Sequence, residues 1–205
     1  MSAQKEMARA ERADLADFLA TLTAEQWDAP TLCTDWTVKD VVAHVISYEE
    51  LGTAGLVQRF AKGRVVRANE VGVAEYRVLP PDRLLDFLRG HLYPQGLTAA
   101  FDGMIALVDA TIHHQDIRRS LRQPRVVPAE RLRRVLDLTR GNPRLRVPRR
   151  IRGLRLRADD IDWEAGAGAE VVGPGEALMM AMAGRPDALP DLRGPGLPVL
   201  AARLS

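Results

Sequence analysis

Hydropathy changes period once along this 205-residue chain, at Gly141-Asn142-Pro143. Before that point apolar residues return at three- and four-residue steps, the spacing of one helix face. After it the patterns over 144–172 are strand-like: Gly153-Leu-Arg-Leu-Arg-Ala158 alternates with period two, and Ala169-Glu-Val-Val172 follows a Gly-rich turn at 166–168. Helices over residues 1–140 and a small mixed unit over 141–205 make an α+β chain. Gly166-Ala-Gly168 is a turn and too short a signal for a phosphate loop.

Punctuation refines the helical part. Ala10, Ala13, Leu15, Leu19 and Leu22 mark a helix over 3–22, and Thr23-Ala-Glu-Gln26 is a capping box restarting a short turn closed by Pro30. A second box, Thr37-Val-Lys-Asp40, opens a helix whose Val38, Val41, Val42, Val45, Ile46 and Leu51 predict a run to about residue 61. Residues 63–79 lack a period and read as irregular. Pro80-Pro81 starts a helix to about residue 92, with Leu84, Leu85 and Leu88 inward. After the break at Pro94-Gln-Gly96, residues 98–121 read as one helix with Phe101, Ile105, Val108, Ile112 and Ile117 on its apolar side. Further helices are predicted over 128–140, 176–183 and 197–204.

Chemistry gathers in Asp109-Ala-Thr-Ile-His113-His114-Gln-Asp116, which holds two of the four histidines. Residues four apart on a helix share a face, about one turn (~6 Å) apart, so Asp109 and His113 project together and Asp116 joins them. Such a pair either holds a divalent metal, given a third ligand from another element, or is a solvated i,i+4 pair. His114 lies ~100° round the helix and should not share a metal with His113. His44, in the most apolar stretch of its helix, is either a satisfied core residue or a ligand facing that pair. Two imidazole nitrogens and a carboxylate oxygen, with one position open, describe a catalytic metal site. The same donors suit non-haem Fe(II), so they leave the metal's identity open. Through an open position a metal acidifies a bound water or thiol, or polarises a carbonyl.

The neighbouring residues carry simpler readings. Trp36 is a core anchor or a pocket wall, and Asp40 a capping acid or a partner of the His44 imidazole. Cys33 reads as a small buried residue without an obvious activating neighbour, which favours an external thiol if thiolate chemistry is involved. His91 reads as a favourable charge at a helix C-terminus. One cysteine excludes an internal disulfide and fits a reducing cytoplasm. No apolar run approaches the ~20 residues of a bilayer span, and the N-terminus has no signal-peptide pattern. A cytoplasmic protein is the expectation. Residues 118–157 hold fifteen arginines against Glu130 and Asp137. Without interleaved aromatics, this block reads as a solvated face or a rim for an anionic small molecule rather than as a nucleic-acid surface.

Thr34-Asp-Trp-Thr-Val-Lys-Asp-Val-Val-Ala-His44 resembles the N-terminal signature of the mycothiol-dependent maleylpyruvate isomerase family, a branch of the DinB-like four-helix metalloproteins. Leu107-Val-Asp109-Ala-Thr-Ile-His113-His-Gln-Asp116-Ile-Arg-Arg119 resembles that family's second metal motif. Leu154-Arg-Leu-Arg-Ala158, Asp162-Trp163, Glu176-Ala-Leu-Met-Met-Ala-Met-Ala-Gly-Arg185 and Gly194-Pro-Gly196 resemble its C-terminal domain. The resemblance implies a DinB-like four-helix bundle followed by a small C-terminal α+β domain. It also implies a divalent metal, zinc foremost, on His44, Asp109 and His113. The family's carboxylate is commonly Glu, and Asp109 is one methylene shorter.

The implied cofactor is mycothiol, a thiol of high-GC Gram-positive (actinobacterial) organisms that ionises at neutral pH when metal-bound. The implied substrate is a small electrophile. Thiolate addition, bond rotation and elimination isomerise it, and release of the adduct makes an S-transferase. Asp116 then supports the ligands or packs the helix, while Arg118 and Arg119 meet an anionic substrate or cofactor or are solvated helix-end cations. Two other readings stand beside these: a metal hydrolase needing no thiol, and a non-catalytic module binding a protein or nucleic acid through residues 118–157.

Overall fold

The structure, a computed structural model, describes residues 2–64 and 67–204. The chain divides into two compact units, one ending at Pro124 and the other beginning at Arg125.

The first unit contains α1 (Ala3–Leu19), α2 (Ala24–Trp27), α3 (Val38–Ile46), α4 (Thr53–Lys62), α5 (Ala68–Tyr76), α6 (Pro81–Gly90) and α7 (Ala100–Ser120). Four of these form the bundle: α1 packs on α6 and α7, and α3 packs on the same two helices. Both capping boxes form, Thr23 with Gln26 and Thr37 with Asp40. Every residue of α3 except Lys39 is buried, so α3 is a central helix rather than a one-faced one. Its valines meet Leu15, Leu19, Leu84, Leu88 and Ile117 in a single apolar cluster.

Three expectations are corrected. The helix from Val38 stops at Ile46 instead of continuing to residue 61, and α4 begins anew after Gly52. The intervening turn carries Glu49 inward, where its carboxylate accepts from the Arg12 guanidinium at 2.5 Å, the Thr98 hydroxyl at 2.6 Å and the Gln95 N–H at 2.8 Å. A buried carboxylate with three donors outweighs a few more residues of helix propensity. Second, α5 lies within the segment read as irregular; only Ala68, Gly72 and Val73 of it are buried, too few to print a period. Val65 and Val66 of that segment lie outside the described residues.

Third, Phe101, Asp102 and Gly103 take left-handed conformations, with φ of 52°, 62° and 78°. Phe101 therefore points to solvent instead of joining the apolar side of α7. The Gln4 amide holds this kink by donating to the carbonyls of Phe101 and Asp102, each at 3.0 Å.

The second unit contains α8 (Ala129–Arg140), α9 (Val147–Arg150), β1 (Leu154–Ala158), β2 (Glu164–Gly166), β3 (Ala169–Gly173), α10 (Gly175–Met182) and α11 (Leu197–Ala201). Strand order is β2-β1-β3, with β1 antiparallel to β2 and parallel to β3. Leu154 and Leu156 of β1 and Val171 of β3 face inward, beneath the almost wholly buried α10. At Gly168, φ is +122° and a Cβ would lie 2.1 Å from the Gly153 carbonyl oxygen, so the turn into β3 requires glycine. Helix α8, expected with the bundle, packs on α10 instead, and this moves the boundary from 140/141 to 124/125. The strand over 164–166 falls within the stretch expected to be strand-like, whereas residues 147–150 of that stretch form the short helix α9.

Candidate metal centre

Helices α3 and α7 cross inside the bundle and bring three donors together. His44 comes from the buried centre of α3; Asp109 and His113 come from consecutive turns of α7. Asp109 Oδ1 lies 3.4 Å from His44 Nε2 and 3.5 Å from His113 Nε2. All three donor atoms fall within 4.8 Å of one another. A tetrahedral ion with bonds of ~2.0–2.1 Å spaces its ligands roughly 3.3–3.4 Å apart, so Asp109 already stands at coordination spacing from both histidines. The shorter arm of Asp109 reaches without a helix shift. The two histidine side chains are 7% and 11% exposed, whereas Asp109 is 31% exposed. The open side of the triad is therefore the carboxylate side.

Electrostatics bind the triad tightly even as bare side chains. Burial opposes ionisation of Asp109, yet the flanking His44 and His113 hold its carboxyl well below the usual carboxylate range. Burial likewise opposes the cationic form of His113. Asp109, with hydrogen bonds to Asp109, Asp116 and Cys33, nevertheless raises it well above its ordinary 6.5.

Behind His113 stands a second layer. Its Nδ1–H donates to Asp116 Oδ2 at 3.0 Å, and Asp116 is fully buried. A carboxylate on Nδ1 fixes the tautomer that leaves the Nε2 lone pair for a metal. The Cys33 thiol donates to the same Oδ2 at 3.1 Å and lies 3.5 Å from His113 Nδ1. Cys33 thus has the close polar neighbours that the sequence did not suggest, from residues 80 and 83 positions away. Cys33, His113 and Asp116 also form a second cluster with metal-ligand spacing. Occupying both clusters would require His113 to lose both ring protons. His44 differs from His113 here: its Nδ1 is buried without a hydrogen-bond partner among the described residues.

Aromatic rings wall the centre. Trp36, half-buried against the core, places its ring 5.1 Å from that of His44 and 6.4 Å from that of His113. It is both core anchor and wall. The other candidates lie elsewhere. His114 faces α1, buried, with Nδ1 3.0 Å from Glu11 Oε1 and Nε2 accepting from Arg118 Nε at 2.8 Å. The Arg118 guanidinium lies 3.8 Å over the Phe18 ring, engaged on that α1-facing side. Arg119 is half-buried near the end of α7. Asp40 caps α3 and pairs with Arg77 at 2.9 Å. His91 follows α6, stacked on Phe87 and 3.5 Å from Glu50.

Comparison with known proteins concerns the domain and the fold. Residues 8–92 match the family model described as the mycothiol maleylpyruvate isomerase N-terminal domain. The crystal structure of the mycothiol-dependent maleylpyruvate isomerase is similar in fold, with a TM-score of 0.53 and 13% identity over 94% of this chain and 91% of that one. The crystal structure of a histidine-to-alanine mutant of that isomerase matches with the same TM-score and coverage at 12% identity. No curated protein matches the chain at a significant level. Among the described residues, no helix is long and apolar enough to cross a membrane.

Proposed function

We propose, because residues 8–92 match the family model described as the mycothiol maleylpyruvate isomerase N-terminal domain, a metal-dependent enzyme that uses mycothiol to isomerise or S-conjugate a small electrophile. The observation that carries this reading is the convergence of His44, Asp109 and His113, with Asp109 at coordination spacing from both histidines. These three residues would hold a divalent ion, zinc foremost. A metal bound here lowers the pKa of a coordinated thiol, giving thiolate at neutral pH.

The chain's own residues do the rest. Asp116 keeps the His113 proton on Nδ1, so Nε2 is free to bind. The Trp36 ring stands beside the His44 and His113 rings and would line the site on that side. Asp109, the most exposed of the three, marks the side from which thiol and electrophile arrive. Solvent access to that side alone lets a reacting pair be held in a confined place.

The test is elemental analysis of the purified chain followed by thiol titration. About one divalent ion per chain is expected, lost in His113→Ala and Asp109→Asn. Mycothiol is expected to raise the melting temperature of the metal-loaded protein and not of the metal-free one. Absence of stoichiometric metal sinks the reading. Metal with turnover independent of any thiol replaces it by a hydrolase.

A further inference from the structure

In the second unit, the surface around α9 carries a shallow, open concavity of about 450 Å³ lined by the exposed residues Pro143, Arg146, Pro148, Arg149 and Arg152. Three guanidiniums share this hollow. None of them forms an ion pair among the described residues. The acidic residues that flank this stretch in the sequence pair elsewhere, Asp137 with Arg140 and Asp159 with Arg193. No acidic residue occurs between Asp137 and Asp159 in the sequence. Unneutralised like charges repel one another, and a concavity concentrates their field.

The hollow is also built to hold its shape. Val147 is fully buried beneath it. Arg146 sits in the left-handed region at φ 57°, a conformation that costs a non-glycine residue energy. Arg150, on the inner side of α9, donates to the Leu145 and Met182 carbonyls, and Arg203 donates to the Arg150 and Arg152 carbonyls at 2.7 and 2.8 Å. Burial foremost, then the neighbouring Arg185 and Arg146, lowers the pKa of Arg150. These tethers fix the backbone from which Arg146, Arg149 and Arg152 project.

We infer that this concavity is a binding site for a small polyanion carrying two or more phosphate groups. Guanidiniums match phosphate oxygens in two-pronged hydrogen bonds, and three of them around one hollow neutralise more than one charge. The volume falls in the range of small-ligand sites. No aromatic residue lines the hollow, so there is no platform for stacked bases, and this favours a small phosphorylated molecule over a nucleic acid.

Inorganic pyrophosphate is the probe, titrated calorimetrically into the metal-free full chain at low ionic strength. Saturable one-to-one binding is expected, at least tenfold tighter than orthophosphate. Arg149→Glu/Arg152→Glu should weaken it tenfold or more. Arg83→Glu/Arg89→Glu, on the exposed face of α6 with the same change in net charge, should alter it less than twofold. Arg149→Gln/Arg152→Gln, read with circular dichroism, guards against misfolding and should also weaken binding. Absence of saturation, equal tightness for orthophosphate, or equal loss in the α6 variant overturns the inference. So does tighter binding of a 20-base-pair duplex through the same arginines. Because the probe is read without metal, His113→Ala should leave the result unchanged.

Discussion

At His113 the two ring nitrogens meet different partners, Asp109 on Nε2 and Asp116 on Nδ1. Removing the charge behind the ring by Asp116→Asn should weaken metal binding about 10–100-fold, measured by chelator competition, with the far-ultraviolet spectrum unchanged. Cys33→Ala, which removes only one donor to Asp116, should cost less. The titrations also give the metal-free protein a bounded stability window. His113 is raised in the fold, so its contribution is complete below about 6.5 and is lost as pH climbs through its higher native value. Asp109 is depressed, so its contribution is complete above about 3.8 and is lost as pH falls through its lower native value. Melting temperature against pH in chelator should therefore fall off on both flanks, and Asp109→Asn should flatten both. The i,i+4 spacing of Asp109 and His113 was legible in the sequence because helix geometry alone dictates it. The Cys33–Asp116 contact was not, since it joins a loop to a helix across 83 positions.

Among the elements, α3 and α7 were legible for different reasons. A capping box announces the start of α3, and continuous apolar burial announces its depth. Its end was not legible, because Glu49 turns inward for donors on α1 and on the turn at 96–99, and no local pattern encodes those. The kink at Phe101 was invisible for the same reason: an apolar side chain in register with a helix face gives no warning that its backbone is left-handed. Two measurements follow at this scale. Thr37→Ala removes the box that sets the entry of α3 and should cost about 1 kcal/mol by chemical denaturation. Glu49→Ala strands the buried Arg12 guanidinium and should cost about 3–5 kcal/mol. Helix α7 is held in rotation by its other histidine. With His114 tied to Glu11 on α1, a turn of one residue would break a buried contact, so His113 stays aimed at α3.

At the scale of the whole chain, the division into units separates charge as well as contacts. Residues to Pro124 carry 14 basic and 17 acidic side chains, and those from Arg125 carry 15 and 10. His44, Asp109 and His113 of the candidate metal centre, with Asp116 and Cys33 beside them, all lie in the first unit. A fragment ending at Pro124 should therefore bind metal as the full chain does, and metal at ~100 times its dissociation constant should stabilise it by about 2.7 kcal/mol. The same arrangement has a kinetic consequence. His44 and Asp109 are 65 residues apart, so the ion's donors meet only after a long loop has closed and α3 has found α7. An ion that cannot bind until the bundle is nearly complete contributes little at the folding barrier. Refolding should thus proceed at one rate with or without metal, while unfolding slows severalfold once the ion is in place. A metal held there would set how long the native bundle lasts and leave its arrival time alone.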